Sequence, residues 1–119
     1  MTKTAIKYCS VLVLAALWMA EPLADLAAAA DCKALEMSIR RERSLITKQS
    51  MISDAIKACP KDAAIMYQDG YSNERLRKYE EAIKSYKKAI SIDPDYAKAY
   101  FSIGDVQMLL KNYKEAVSY

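Results

Sequence analysis

Apolar residues recur at helical intervals through the centre of the chain. They are spaced three and four residues apart at Tyr79, Ala82, Ile83, Tyr86, Ala89 and Ile90. This spacing places them on one face of an amphipathic α-helix, with charged residues on the other faces. Asp93-Pro94 ends that helix, because a proline cannot continue a helix and holds the residue before it in extended geometry. A second amphipathic helix is predicted over Ala97–Leu110.

The same pattern of residues returns after 34 positions, so that Ala63–Tyr96 and Ala97–Tyr119 align without a gap. The identical pairs are Ala63/Ala97, Gly70/Gly104, Leu76/Leu110, Tyr79/Tyr113, Glu81/Glu115 and Ala82/Ala116. A fixed period of this length is typical of stacked structural repeats. Such arrays usually bind other proteins and seldom carry out chemistry.

The two glycines of the chain, Gly70 and Gly104, stand at the same phase of this period. A glycine inside a helix costs about 1 kcal/mol relative to alanine. We therefore expect a packing reason for both: a neighbouring helix crosses there too closely for a Cβ atom. The scarcity of glycine, and the lack of any alternating run rich in Val, Ile and Thr, predict an all-α protein.

The repeated residues resemble the tetratricopeptide repeat (TPR), whose pattern is W-x2-L-G-x2-Y, then A-x3-F, then P. The middle copy fills these positions with Met66, Asp69, Gly70, Asn73, Ala82, Tyr86 and Pro94. The last copy fills them with Tyr100, Ile103, Gly104, Gln107 and Ala116. The resemblance implies an all-α array of helical hairpins, an α-solenoid of about two and a half repeats. Its units are a TPR repeat at 63–96 and an incomplete TPR repeat at 97–119.

A degenerate first hairpin is predicted over residues 31–62, where Pro60 falls at the place of Pro94. Counting back by one period puts apolar residues at the core positions of the pattern: Cys32, Leu35, Ile39, Ile52 and Ala55. The chain also departs from the family pattern. Asp69 stands where an apolar residue is usual, and Glu36 replaces the glycine. Asn73 and Gln107 replace the tyrosine.

Residues 1–30 have the layout of a secretory signal peptide. Lys3 and Lys7 provide the positive start, Val11–Ala20 the short apolar core, and Ala28-Ala29-Ala30 the small residues of a cleavage site. The apolar stretch falls well short of the roughly 20 residues that span a bilayer. We expect cleavage after Ala30, export to the periplasm of a bacterium or secretion from it, and no membrane span afterwards. An uncleaved anchor is the lesser alternative.

Two cysteines, Cys32 and Cys59, remain after that cleavage, in a compartment where disulfides persist. In the TPR register Cys32 opens the first helix of a hairpin and Cys59 closes the second. The two ends then lie side by side, and a disulfide can join them. Two buried free thiols are the alternative. A redox dithiol would normally have the spacing C-x-x-C, which these cysteines lack.

The composition favours a binding protein over an enzyme. The chain has no histidine, the commonest general base and a usual metal ligand. It has no Gly-rich phosphate loop, nucleophile elbow or zinc-ligand spacing, so we predict no catalytic residue, no metal site and no cofactor. A net charge of +3 is too small to indicate a nucleic-acid partner. The basic run Arg40–Arg43 is interpreted as the solvated end of a helix, where the helix dipole favours arginine.

TPR domains hold their ligands mainly in a concave groove lined by the first helix of each repeat. The resemblance assigns this groove to Ala64, Tyr67, Tyr71, Glu74, Arg75, Lys98, Phe101, Asp105, Met108 and Leu109. Three of them are aromatic, the type of side chain enriched at interaction hot spots. The Lys/Asn pair with which some TPR domains bind a C-terminal carboxylate is not matched, because Phe101 and Asp105 occupy those positions. A solvated face, or a contact with the next repeat, is the alternative role.

We expect a non-catalytic protein–protein interaction module of the bacterial cell envelope that binds a peptide or a partner helix in this groove. The alternative is a structural N-terminal cap or scaffold within a longer exported TPR protein. Exposure of Tyr67, Tyr71 and Phe101 would favour binding, and their burial would favour scaffolding. Because the last copy is cut short, we also expect the natural chain to continue past Tyr119 and its open C-terminal edge to self-associate.

Overall fold

The computed structural model describes residues 31–110, which form five α-helices and their connections. Helix α1 covers residues 31–41. The others are α2 (Leu45–Ala58), α3 (Ala63–Arg75), α4 (Tyr79–Ile92) and α5 (Ala97–Leu109). No strand occurs within residues 31–110, and the predicted all-α hairpin fold is confirmed. The structure divides the chain after Lys33, and the fold described below is that of the second unit, from Ala34 onwards.

Side-chain caps start α2 and α3. The Ser44 hydroxyl accepts a hydrogen bond from the backbone N–H of Thr47 at 3.4 Å. The Asp62 carboxylate accepts one from the backbone N–H of Ile65 at 3.1 Å. Each cap satisfies a donor in the first helical turn that has no partner within the helix.

Helix α4 ends at the turn that the sequence predicts around Pro94. The backbone N–H of Asp95 donates to the carboxylate of Asp93 at 3.0 Å, so Asp93 is a turn residue. The first helical residue of α5 is Ala97, and Tyr96 precedes it at the N-cap position without a side-chain hydrogen bond. The two acidic residues therefore shape the connection, and neither of them caps α5.

Each helix from α2 onwards packs against the next one along the chain, and α3 also contacts α5. Helices α3 and α5 begin at Ala63 and Ala97, one sequence period apart. The core between α3, α4 and α5 consists of Met66, Ala82, Tyr86, Ala89, Ala99, Ile103 and Val106. In the first hairpin, Ile39, Ile52 and Ala55 are fully buried, as the repeat pattern predicts.

Gly70 lies where α3 crosses α4. A Cβ atom at this position would come within 2.5 Å of the ring of Tyr86, which is fully buried. The prediction of a close approach is confirmed for Gly70. The same prediction for Gly104 remains a prediction.

Two parts of the sequence analysis lie outside the described residues: the signal peptide over 1–30, and the incomplete second helix of the last repeat, beyond Leu110. Within residues 31–110, none of the helices combines the length and the apolar character needed to cross a bilayer.

Candidate functional site

A cleft of about 300 Å³ is lined by residues of α1, α2 and α3 and of the start of α5. Helix α1 contributes two lining residues, α2 one, α3 three, and the start of α5 two. The lining residues are Glu36, Arg40, Lys48, Tyr67, Gln68, Tyr71, Tyr96 and Lys98. Charged groups and tyrosines thus surround one open space, a composition suited to a ligand that is itself part polar and part apolar.

One wall of the cleft is a group of packed tyrosines. The ring of Tyr67 lies 5.3 Å from that of Tyr86 and 5.5 Å from that of Tyr96, in tilted arrangements that aromatic pairs favour. The Tyr67 hydroxyl is 3.4 Å from that of Ser102 on α5. Tyr67 is therefore held on three sides and presents a fixed, half-buried surface to the cleft.

The opposite end of the cleft is charged. Glu36 is only 3% exposed and forms an ion pair with Arg40, one helical turn later on α1, at 3.5 Å. Lys48 is only 7% exposed, and its ammonium group lies 6.0 Å from the centre of the Tyr71 ring. That distance is at the outer limit of a cation–π contact. With Lys98 included, the lining of the cleft has three cationic side chains and one carboxylate.

Two tyrosine hydroxyls in this region, those of Tyr96 and Tyr86, have raised pKa values and stay neutral. Burial raises the pKa of Tyr96, and the negative charge of Glu36 raises it further. Burial likewise raises the pKa of Tyr86, and so does the hydrogen bond that its hydroxyl donates to the carboxylate of Glu74 at 2.7 Å. A neutral Tyr96 at the cleft can act as a hydrogen-bond donor to a ligand.

The predicted groove residues fall into three groups. Tyr67, Tyr71 and Lys98 line the cleft together. Ala64 and Glu74 are half-buried, and the Glu74 carboxylate accepts the hydrogen bond from Tyr86 inside the hairpin. The remaining five are exposed and do not line the cleft: Arg75, Phe101, Asp105, Met108 and Leu109.

The three aromatic groove residues differ in exposure. Tyr71 is 37% exposed and Phe101 is 71% exposed, whereas Tyr67 is held by packing. Phe101 follows Tyr67 by one period and occupies the same position on α5 as Tyr67 does on α3. Exposed Met108 and Leu109 continue the apolar surface along α5.

The sequence analysis missed five lining residues: Glu36, Arg40, Lys48, Gln68 and Tyr96. Arg40, interpreted as part of a solvated helix end, is exposed in the last turn of α1 and also lines the cleft, with its ion-pair partner on the same helix. A signal for Glu36 and Lys48 was present. One period later, their positions are occupied by Gly70 and Ala82, so charged side chains replace the smallest residues of the repeat.

Both predicted disulfide cysteines are disulfide-bonded in the structure. Their pairing with one another stays a prediction. Cys59, at the end of α2, is buried. Within residues 31–110, no group of three or more His, Cys, Asp or Glu side chains is placed to hold a metal ion.

Comparisons with known proteins agree with this architecture. Residues 77–111 match the family model for the TPR repeat. Over 65 residues the chain is 32% identical to the Hsp70-Hsp90 organizing protein of Triticum aestivum, a match that covers 55% of this chain and 11% of that protein. The fold is similar to a solved structure, the second TPR of Spaghetti (RPAP3) bound to the HSP90 peptide SRMEEVD. That similarity has a TM-score of 0.68 at 23% identity and covers 82% of this chain and 91% of the other.

These similarities establish a TPR-like helical fold. The chain spans only about a ninth of the length of the curated relative that it matches. These similarities support a role in protein–protein interaction.

Proposed function

We propose that this chain is a non-catalytic interaction module that binds an extended peptide, or a helix of a partner protein, across the cleft and the adjoining face of α5. The observation that carries the proposal is the cleft itself. It is open, it is formed by residues of α1, α2, α3 and α5, and it combines held tyrosines with three cationic side chains. A peptide can place apolar side chains against the rings and polar groups against the charges.

Exposed aromatic and apolar residues extend this surface beyond the cleft. Tyr71 lies at the cleft, and Phe101, Met108 and Leu109 cover the exposed face of α5. Large side chains of this type give most of the binding energy at interfaces when a partner buries them. Binding of a peptide by the structurally similar TPR of Spaghetti supports the same use of this fold.

The proposal includes the site of action. The layout of residues 1–30, with a positive start, a short apolar core and a small-residue site, supports export to the periplasm of a bacterium or secretion. Intact-mass analysis of the exported protein tests this directly. A mature chain beginning at Asp31 would support export, and a chain that retains residues 1–30 would contradict it.

A structural role is the second candidate, and one observation favours it. Tyr67, a predicted ligand contact, is fixed by Tyr86, Tyr96 and Ser102 and partly serves the packing of α3 against α5. A cap or scaffold within a longer exported TPR protein would need such packing and no exposed aromatic surface.

Selection of peptides on the immobilised chain distinguishes the two roles. Random heptapeptides displayed within a coat protein should yield an enriched family that binds the wild-type chain. Replacing both exposed aromatic residues, Tyr71→Ala with Phe101→Ala, should weaken binding of the enriched peptides by at least about tenfold. The matched control replaces two exposed lysines of α4, Lys87→Ala with Lys88→Ala, and should leave binding unchanged. Absence of any enriched peptide would contradict the binding role and favour the scaffold.

A further inference from the structure

The first hairpin has two charged residues at positions where the second hairpin has a glycine and an alanine. Glu36 and Lys48 occupy the positions that Gly70 and Ala82 occupy one period later. Gly70 and Ala82 are buried in the hairpin formed by α3 and α4. Glu36 and Lys48 are buried too, at 3% and 7% exposure, yet both line the cleft.

A second difference between the two hairpins lies on α2. The ring of Tyr86 fills the space next to Gly70, where a Cβ atom would come within 2.5 Å of it. One period earlier, Ile52 stands in place of Tyr86. In the first hairpin a smaller residue on the second helix therefore accompanies a larger one on the first.

Lys48 is the unusual member of this pair, because it belongs to α2, the second helix of its hairpin. The stem of Lys48 is buried, and its ammonium group reaches the open space of the cleft, since no fully buried side-chain nitrogen or oxygen within residues 31–110 lacks a hydrogen-bond partner. Within residues 31–110 no carboxylate forms an ion pair with Lys48. Its ammonium nitrogen lies over the face of Tyr71, 6.0 Å from the ring centre. Glu36, the carboxylate that shares the cleft, is already paired with Arg40.

The neighbouring charges favour an anion at the same place. Arg40 and Lys98 line the cleft together with Lys48, so the charge of the lining is positive by two units: three cations and one carboxylate. Gln68 adds a buried amide that can donate hydrogen bonds. An incoming carboxylate would exchange water for charge-assisted hydrogen bonds in a site that is partly shielded from solvent.

We propose that Lys48 binds the side-chain carboxylate of an Asp or Glu residue within the partner peptide. The inference rests on the proposed function and deepens it: the module selects acidic peptides, and the selecting residue lies on the second helix of the first hairpin. Arg40 and Lys98 assist by steering the acidic segment to the cleft. A lysine or arginine of a peptide is rejected there, because it would meet three like charges.

The test compares peptides selected on the wild-type chain and on Lys48→Met, a variant that keeps the length of the side chain and removes its charge. The heptapeptides are displayed internally, flanked by carrier sequence on both sides, so that no free C-terminal carboxylate takes part. The matched control is Lys57→Met, which removes an exposed cation from the same helix, outside the cleft. We expect acidic residues to be enriched on wild type and on Lys57→Met, and the enrichment to disappear on Lys48→Met.

Affinity measurements on the enriched acidic peptide complete the test. Lys48→Met should weaken the affinity for this peptide by at least about tenfold at moderate salt, and Lys48→Arg should retain most of the affinity. Lys48→Ala provides a second neutral variant, which restores the alanine of the next repeat and is expected to fold at least as well as wild type. Thermal unfolding of each variant confirms the folded state.

Each outcome decides a separate point. Acidic peptides that bind wild type and both neutral Lys48 variants equally would overturn the role of Lys48 and leave the interaction module intact. Enriched peptides without acidic residues would overturn the acidic preference. A wild-type chain that enriches no peptide would overturn the proposed function, and this inference with it.

Discussion

Tyr86 organises the middle hairpin through both ends of its side chain. Its ring fills the space beside Gly70, and its hydroxyl donates to Glu74 from a fully buried position. The same tyrosine also packs against Tyr67 at the cleft. Residues that shape the core of α3 and α4 therefore also set the position of a residue that lines the candidate site.

Gly70→Ala should destabilise the protein by roughly 1–3 kcal/mol through overpacking, although alanine is the better helix former. The added methyl group meets the Tyr86 ring, which is buried and has little room to move. Chemical denaturation of both proteins measures the difference in unfolding free energy. In a Tyr86→Leu background the cost of Gly70→Ala should largely vanish. A Gly70→Ala protein more stable than wild type would contradict the close approach.

Tyr86→Phe should reduce stability by about 1–2 kcal/mol and change its dependence on alkaline pH. Since the folded state raises the pKa of Tyr86 above its usual value near 10, its contribution is complete below pH 10. It falls as the pH rises above 10 toward the folded pKa, because the unfolded state then releases its proton more readily. Between about pH 8 and pH 11.5, a range that brackets the usual pKa of tyrosine, the unfolding free energy should fall less steeply with pH for Tyr86→Phe than for wild type. Tyr71→Phe, at an exposed position, is the control, and equal slopes for all three proteins would refute the linkage.

Asp69 shows how a departure from the family pattern is accommodated. Its position in the repeat usually holds an apolar residue, but here the carboxylate accepts a hydrogen bond from the hydroxyl of Ser85 on α4. Ser85 is buried and faces α3. A polar pair thus replaces an apolar contact between the two helices, and its hydrogen bond offsets the cost of burial.

The connection between α3 and α4 is a compact helix end built without glycine. The backbone N–H of Lys78 donates to the carbonyl of Asn73, and that of Arg77 donates to the carbonyl of Glu74, both at 2.9 Å. This is the Schellman arrangement, in which the residue after the helix adopts the left-handed conformation. Arg77 does so with φ of 59°. A residue with a Cβ atom is strained in that region, where glycine is preferred.

Arg77→Gly should therefore stabilise the protein by up to about 1 kcal/mol, since relief of strain outweighs the greater freedom of glycine in the unfolded chain. The matched control is Arg75→Gly at the last residue of α3, two residues earlier, which should lower stability because glycine is a poor helix former. Urea denaturation of the three proteins gives both values. A loss of stability for Arg77→Gly would mean that the arginine side chain makes a contact that outweighs its strain.

Helices were predictable where the apolar spacing is regular, and α4 is the clearest example. The sequence predicts that one face of α4 is apolar, with Tyr79, Ala82, Ile83, Tyr86, Ala89 and Ile90. The structure buries Ala82, Tyr86 and Ala89 fully and the other three partly. The charged end of the cleft was not predictable in the same way. The family pattern assigns ligand contacts to first helices, so it gives no role to Lys48 on α2. Arg40 is exposed, as the sequence predicts, and its place at the cleft beside Glu36 depends on how the helices pack.

The predicted Cys32–Cys59 disulfide bears on the stability of the whole chain. In the chain-entropy description, a disulfide that closes a loop of this size stabilises the folded state by on the order of 3 kcal/mol. Reductant should lower the melting temperature, and Cys32→Ser should lower it by a similar amount and make it insensitive to reductant. Reaction of both thiols of the native protein with a thiol probe before reduction would contradict the bridge.

Amide NMR spectra of the chain, titrated with its tightest selected peptide, test the central claim that the cleft between α1, α3 and α5 is the binding surface. The account predicts shifts concentrated at residues that line the cleft, such as Lys48, Tyr71 and Lys98, and continuing along α5 at Phe101. The exposed face of α4, including Lys84 and Lys88, should remain unchanged. Shifts centred on that face of α4, with the cleft residues unaffected, would contradict the account.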